Sequence, residues 1–326
     1  MRISPSASLA RFLGLATVVF IAGMLAPVAS ATGAGAERAT PPGRFYAGIA
    51  FDAARNQVVM FGGHGETSAL NDTWTWDGTS WTKRMPAHRP RARVGMGMAY
   101  DALTSQVILF GGVDKTGTVL GDTWAWDGAD WTKLHPTDAP SPRWGMGMAY
   151  DAVRGQVVLL GGADGLRDMW SWDGSDWTER APAHRPSAQS GMGMAYDPGR
   201  HKVVVFGGYE DLSTLGETWT WDGTDWTRQT PAHHPSPRFG AAMASRNHVV
   251  LFGGYSSRNG FSWDTWTWDG SDWTERLRVH TPGSRSDAAM VQDSVPGQIV
   301  LFGGTNDTSH PLADTSVWDG VRWTQQ

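Results

Sequence analysis

Trp126-Asp127-Gly128-Ala129-Asp130-Trp131 decides the reading of this 326-residue chain, because it is one of six copies of a single word. Trp-Asp-Gly-x-x-Trp also stands at Trp76–Trp81, Trp172–Trp177, Trp221–Trp226, Trp268–Trp273 and Trp318–Trp323. A Gly-Gly pair precedes each copy, at Gly62-Gly63, Gly111-Gly112, Gly161-Gly162, Gly207-Gly208, Gly253-Gly254 and Gly303-Gly304. Successive pairs lie 49, 50, 46, 46 and 50 residues apart. A period near 50 with strand-like content predicts a propeller rather than a string of separate domains.

Working outward through the second copy, Arg93–Asp101 alternates small and large residues. Gly95, Gly97 and Ala99 share one face of the strand, and Val94, Met96, Met98 and Tyr100 share the other. A face built of Gly and Ala belongs where blades crowd together near the axis, so this is the innermost strand, A. Strand B, Gln106–Gly112, is apolar on both faces, as a strand covered on both sides must be. A polar loop of variable length leads to strand C, Asp122–Trp126. The Asp127-Gly128 turn then leads to strand D, Trp131–Leu134. Six such units predict an all-β, six-bladed β-propeller with four antiparallel strands per blade, over residues 44–326. Each blade is complete in sequence, so blades one and six are expected to meet by face packing alone.

Residues 1–31 read as an export signal. Arg2 and Arg11 precede an apolar run, Phe12–Met24, and Ala29-Ser30-Ala31 supplies a small-x-small cleavage site. Residues 32–43 read as a flexible lead-in. The expectation is a secreted, periplasmic or cell-surface monomer with no membrane span once the signal is removed. The net charge of −5 and the lack of a basic block make nucleic acid a poor partner. There is no cysteine, which excludes disulfides, thiolate metal sites and a cysteine nucleophile. No cofactor or metal is expected.

The Gly-Gly pair closing strand B, the Trp-x4-Trp pair that follows and the unit length resemble the Kelch family of propellers. The resemblance covers about residues 44–326. Trp replaces the family's usual leading Tyr, and the aromatic spacing is one or two residues shorter than its commonest pattern. The resemblance implies the propeller fold. It also brings in the galactose oxidases, whose copper radical site needs a Cys–Tyr cross-link that this chain cannot form.

Antiparallel order puts the B–C loops and D–A connections at the end of the blade where strand A starts, the upper face. The short A–B and C–D turns lie on the lower face. Variable loops on a rigid scaffold usually carry binding. Each strand A opens on Arg44, Arg93, Arg143, Gln189, Arg238 or Arg285, so five guanidinium groups could ring the channel mouth. In some Kelch proteins that this chain resembles, arginine at that position reads acidic groups, which its planar fork suits. Against this, each strand C opens on an acid, Asp72, Asp122, Asp168, Glu217, Asp264 or Asp314, and the arginines could pair with these instead. Further ligand-binding candidates on the B–C loops are His64, Tyr209, Tyr255 and Arg258. The repeated tryptophans read as blade packing, with Trp144 and Trp263 the better sugar-stacking candidates. His88, His135, His184, His233, His234 and His280 read as solvated connection residues. Glu210-Asp211 and Asn306-Asp307 do not resemble an ordered calcium loop.

Function is read in three ways. The first is a non-catalytic binding module for a protein loop or an anionic glycan on the upper face. The second is a sugar isomerase, since some exported bacterial Kelch proteins that this chain resembles speed the anomer exchange of sialic acid. Such chemistry needs an acid and a base beside an arginine, and Glu66, Glu210, His64 and His310 are on the right face. The third is a module of a larger surface assembly, docking by its lower face or rim.

Overall fold

The computed structural model describes residues 37–211, 213–276, 281–306 and 310–326. The expected export signal lies outside these residues, as do His280 and Asp307. The described residues form strands and turns with no helix, in six radial antiparallel sheets. The innermost strands A are Gly48–Asp52, Gly97–Asp101, Gly147–Asp151, Gly193–Asp197, Ala242–Ser245 and Ala289–Gln292. In blade two, strands B, C and D are Gln106–Phe110, Thr123–Trp126 and Trp131–Leu134. The other blades repeat this order.

Strands B form the core. Val107–Phe110 have no measurable exposure, because neighbouring blades cover both faces. The seams between blades follow one rule near the axis. The Gly and Ala face of one strand A receives the methionines of the next blade. A Cβ built on Gly97 would lie 2.7 Å from Met148 Sδ. Farther out, the word's second tryptophan crosses the seam. Trp131 Nε1 donates to Thr73 Oγ1 of blade one at 2.9 Å, and its ring meets Phe61 edge-on at 5.3 Å. In blade four Trp226 donates to Met169 Sδ instead, because blade three carries Met where others carry Thr.

The Asp and Gly of the word form its turn. Asp127 Oδ1 accepts from the N–H groups of Ala129 and Asp130, both at 2.8 Å. Gly128 has φ of 98°, and the guanidinium of Arg55 from blade one lies where its Cβ would be. Only glycine meets both demands.

Three expectations need correction. Glu37–Arg38, within the expected flexible lead-in, is a fifth strand that pairs with Thr82–Lys83 on the outer edge of blade one. It covers an edge that would otherwise be open. Blades one and six do more than pack. Trp81 Nε1 donates to Thr315 Oγ1 at 2.9 Å, and backbone bonds run from Arg44 N to Leu312 O and from Gly304 N to Arg44 O. No strand is exchanged between these two sheets. Finally, strand A is not continuous from Arg93. Arg93–Val94 pairs with Val113–Asp114, the chain turns at Gly95 with φ of 64°, and strand A resumes at Gly97.

Candidate functional site: the upper axial mouth

The five arginines of the expected ring are buried, each 3% exposed or less. Arg93 binds Asp122 through both forks, at 2.6 and 3.0 Å, and donates to the carbonyls of Gly111 and Arg91. Arg44, Arg143, Arg238 and Arg285 repeat this with Asp72, Asp168, Asp264 and Asp314. Of the two roles that the sequence left open, the structure shows the pairing. These guanidinium groups turn inward, and their donors are engaged within each blade. Burial alone would raise the carboxyls of Asp72, Asp122, Asp168 and Asp264. The hydrogen bonds from arginine and from the following tryptophan outweigh it and hold them below the usual carboxylate range.

Blade four departs from the pattern. Glu217 takes its ion pair from Arg228 of strand D at 2.9 Å and a hydrogen bond from Ser187 Oγ at 3.1 Å. Gln189, in the arginine position, reaches Asp211 Oδ1 at 3.4 Å.

Two residues beyond each arginine position the chain reaches the axis, and there a closed circuit forms. Gly95 N donates to Tyr46 O, Gly145 to Gly95, Gly191 to Gly145, Gly240 to Gly191, Asp287 to Gly240 and Tyr46 to Asp287, at 2.7–3.0 Å. All six residues have positive φ, between 54° and 69°. Four are glycine, which adopts this conformation freely. Tyr46 and Asp287 hold it at a cost, and strain of that kind concentrates at functional sites.

These two residues are also partners. The Tyr46 hydroxyl donates to the Asp287 carboxylate, and Ser286 Oγ donates to Asp287 Oδ2 at 2.7 Å. Part of Asp287 still meets solvent, but protein shuts in its carboxyl. That burial pushes its pKa up to about 7, against the pull of the Ser286 and Tyr46 bonds. Burial, reinforced by the Asp287 charge, raises the Tyr46 hydroxyl well above its ordinary value. A carboxyl that titrates near neutrality can both accept and give a proton.

The B–C loops rise around this pair. Tyr209 and Tyr255 open the short hairpins Tyr209–Glu210/Ser213–Thr214 and Tyr255–Ser256/Gly260–Phe261. Both meet the ring of Phe239 edge-on, at 5.8 and 5.6 Å, so the structure brings these two candidates together. His64 lies in blade one and stacks on Phe45 at 5.1 Å, with Nδ1 2.6 Å from Gly65 O. Arg258 stands exposed in the turn of the blade-five hairpin. Glu66 is exposed, and Glu210 is bound by Arg167. Trp144 is 3% exposed beneath Gly95 and presents no face for a sugar, whereas Trp263 is 44% exposed.

Three connection histidines do more than meet solvent. His88, His184 and His233 each clip the following blade, with Nδ1 2.7 Å from Asp130, Asp225 and Asp272. Among the described residues no group of three His, Asp or Glu is placed to share a metal ion. None of their helices could cross a membrane, since there are none.

The sequence reading missed Tyr46, Asp287 and Ser286. The signal was there. Aligned with Gly95, Gly145, Gly191 and Gly240, they sit in the two copies where the glycine is replaced. No family model matches the chain, and a search of curated proteins returns no match.

Proposed function

We propose that this protein is an exported Kelch-type propeller that binds a protein loop at the axial mouth of its upper face, with no chemistry of its own. One observation carries the reading: the six-fold pattern is broken at the axis, where Tyr46, Asp287 and Ser286 form a polar cluster among the converging loops. Six glycines would build the same circuit without strain, so the fold alone does not account for these two residues. The Gly-Gly pairs, the Trp-x4-Trp pairs and the six-blade ring support the Kelch assignment, and residues 1–31 support export. The engaged arginines leave an anionic glycan few cationic groups at the mouth, which favours the protein-loop ligand over it.

The test is a thermal-shift screen of the purified protein against basic, acidic and neutral peptides and against neutral and anionic sugars. A ligand at 100 times its dissociation constant adds about 2.7 kcal/mol and visibly raises the melting temperature. The expected result is a shift with a peptide class that Asp287→Asn or Tyr46→Phe abolishes. A shift with an anionic sugar that both variants keep overturns the reading.

A second reading rests on Asp287 alone. Its pKa near 7 and its Tyr46 partner suit proton transfer at a sugar's anomeric centre. Anomer exchange followed by NMR, accelerated by the wild type and not by Asp287→Asn, would favour it.

A further inference from the structure

Below the axial circuit the inner strands enclose a channel of about 420 Å³. It extends to the lower face, because Ala53, Ala102 and Pro198 of the A–B turns belong to its lining. Two collars of side chains make its wall. The upper collar, one residue per blade, is Ile49, Met98, Met148, Met194, Met243 and Met290. The methionine sulfurs do not converge on the axis. Met98, Met148, Met194 and Met243 each lay Sδ against the glycine of the preceding blade, Gly48, Gly97, Gly147 and Gly193. The collar therefore offers the channel adaptable hydrocarbon rather than a soft-metal site.

The lower collar is Phe51, Tyr100, Tyr150 and Tyr196 in blades one to four, but Ser245 and Gln292 in blades five and six. The gap is one-sided, because those two blades are neighbours. Ser245 and Gln292 bring a hydroxyl and an amide to a mouth otherwise rimmed by rings. Among the described residues, three arginines of the lower face turn away from this mouth. Arg55 donates to Ser105 O, Arg154 to Asp222 O and Arg246 to Asp319 O, each reaching over the neighbouring blade. Of the strand-end carboxylates, Asp293 accepts from Trp76 Nε1 and Ser294 Oγ through Oδ1, and its buried Oδ2 has no partner. Asp151 and Asp197 are held by Arg154 and Arg200, and Asp101 by Thr104 and the Leu103 N–H.

We propose that this channel is a second binding site, for an elongated uncharged amphiphile. Its alkyl tail lies along the methionine collar, and its hydroxyl or amide head sits in the gap at Ser245 and Gln292. The volume falls in the range of small-molecule sites. The apolar collar rewards a tail, and the gap supplies donors and acceptors for a neutral head. A neutral head suits the gap better than a charged one, because Arg246 gives Nη1 to Asp319 O with its Nε buried, and Asp293 beside Gln292 is only 1% exposed. The site stands apart from the upper mouth and does not depend on what binds there.

The experiment uses the uncharged fluorophore N-phenyl-1-naphthylamine, which brightens in apolar surroundings. The expected result is saturable one-to-one binding, reversed by n-octyl β-glucoside below its micelle concentration and at least tenfold less well by decanoate. The double variant Ser245→Tyr/Gln292→Tyr installs the residue that blades two to four carry at this register, and so closes the gap. It should weaken the probe at least tenfold without lowering the melting temperature. Should the double variant not fold, Gln292→Tyr alone should weaken binding in the same direction. Absence of saturable binding overturns the proposal, as does undiminished affinity in a folded, gap-closed variant. Equal displacement by decanoate overturns the neutral-head assignment.

Discussion

Arg93 and Asp122 form a two-pronged ion pair that ties the approach to strand A to the start of strand C, with the guanidinium fully buried. The tie reaches past the end of strand B, where Gly111 at φ of 68° turns its carbonyl into the same guanidinium. The Gly-Gly pair, the arginine and the acid are thus three parts of one device. It recurs in five blades and is rebuilt around Arg228 in the fourth.

Arg93→Ala leaves Asp122 part-buried and without its counter-ion. Removing one member of a buried pair costs about 3–5 kcal/mol. The expected drop in melting temperature is roughly 5–10 °C. Arg93→Ala/Asp122→Ala should lose less than the single arginine change, because no orphan charge remains. If the two variants melt alike, the carboxylate was not depending on its partner. Acid has a related effect. The lowered carboxyls favour the native state above the ordinary aspartate pKa. That stability is lost as pH falls through their depressed folded values, so strongly acidic solution should unfold the ring.

Closure of the ring rests partly on Trp81 and Thr315. Thr315→Val keeps the shape and removes the acceptor, leaving a buried indole N–H unpaired at a cost of about 1–3 kcal/mol. Thr123→Val removes the same bond, to Trp177, at an internal seam. Calorimetry of both variants should give similar losses. A markedly larger loss for Thr315→Val would mean that this seam is the weak point of the ring.

Removing the Glu37–Arg38 strand should expose the outer edge of blade one. The pairing is short and peripheral, so the melting temperature should change by only a degree or two. The change should show instead as faster hydrogen exchange at Thr82 and Lys83, the residues that it pairs with. Unchanged exchange there would mean that the strand gives this edge no protection.

The repeat made the fold legible because every copy states the same packing rule. Trp131 finds Thr73 as Trp177 finds Thr123, and six such statements admit one architecture. The site was less legible because it lies where the copies disagree. Asp287 and Tyr46 are single departures from a glycine, and a reading tuned to what recurs passes over them. The arginines left two roles open for the opposite reason: recurrence in five blades fits a structural tie, while a place at the mouth fits a ligand site. The outer strand at Glu37–Arg38 was hidden because its partner, Thr82–Lys83, lies 45 residues along the chain from it, outside any local pattern.

Asp287 sets the pH response near neutrality. Its pKa is about 7 in the folded protein, against an ordinary 3.8. Between those values the native state holds a proton that the unfolded chain has released. The benefit is complete below the unfolded pKa and is lost as pH rises through about 7. The melting temperature should therefore fall between pH 5 and pH 8. Asp287→Asn keeps the shape, tolerates positive φ and removes the titration. Its stability relative to the wild type should rise from pH 5 to pH 8 by about 2–3 kcal/mol. Wild-type and variant curves that stay parallel from pH 5 to pH 8 would place the Asp287 titration elsewhere and remove the support it lends to proton transfer at this mouth.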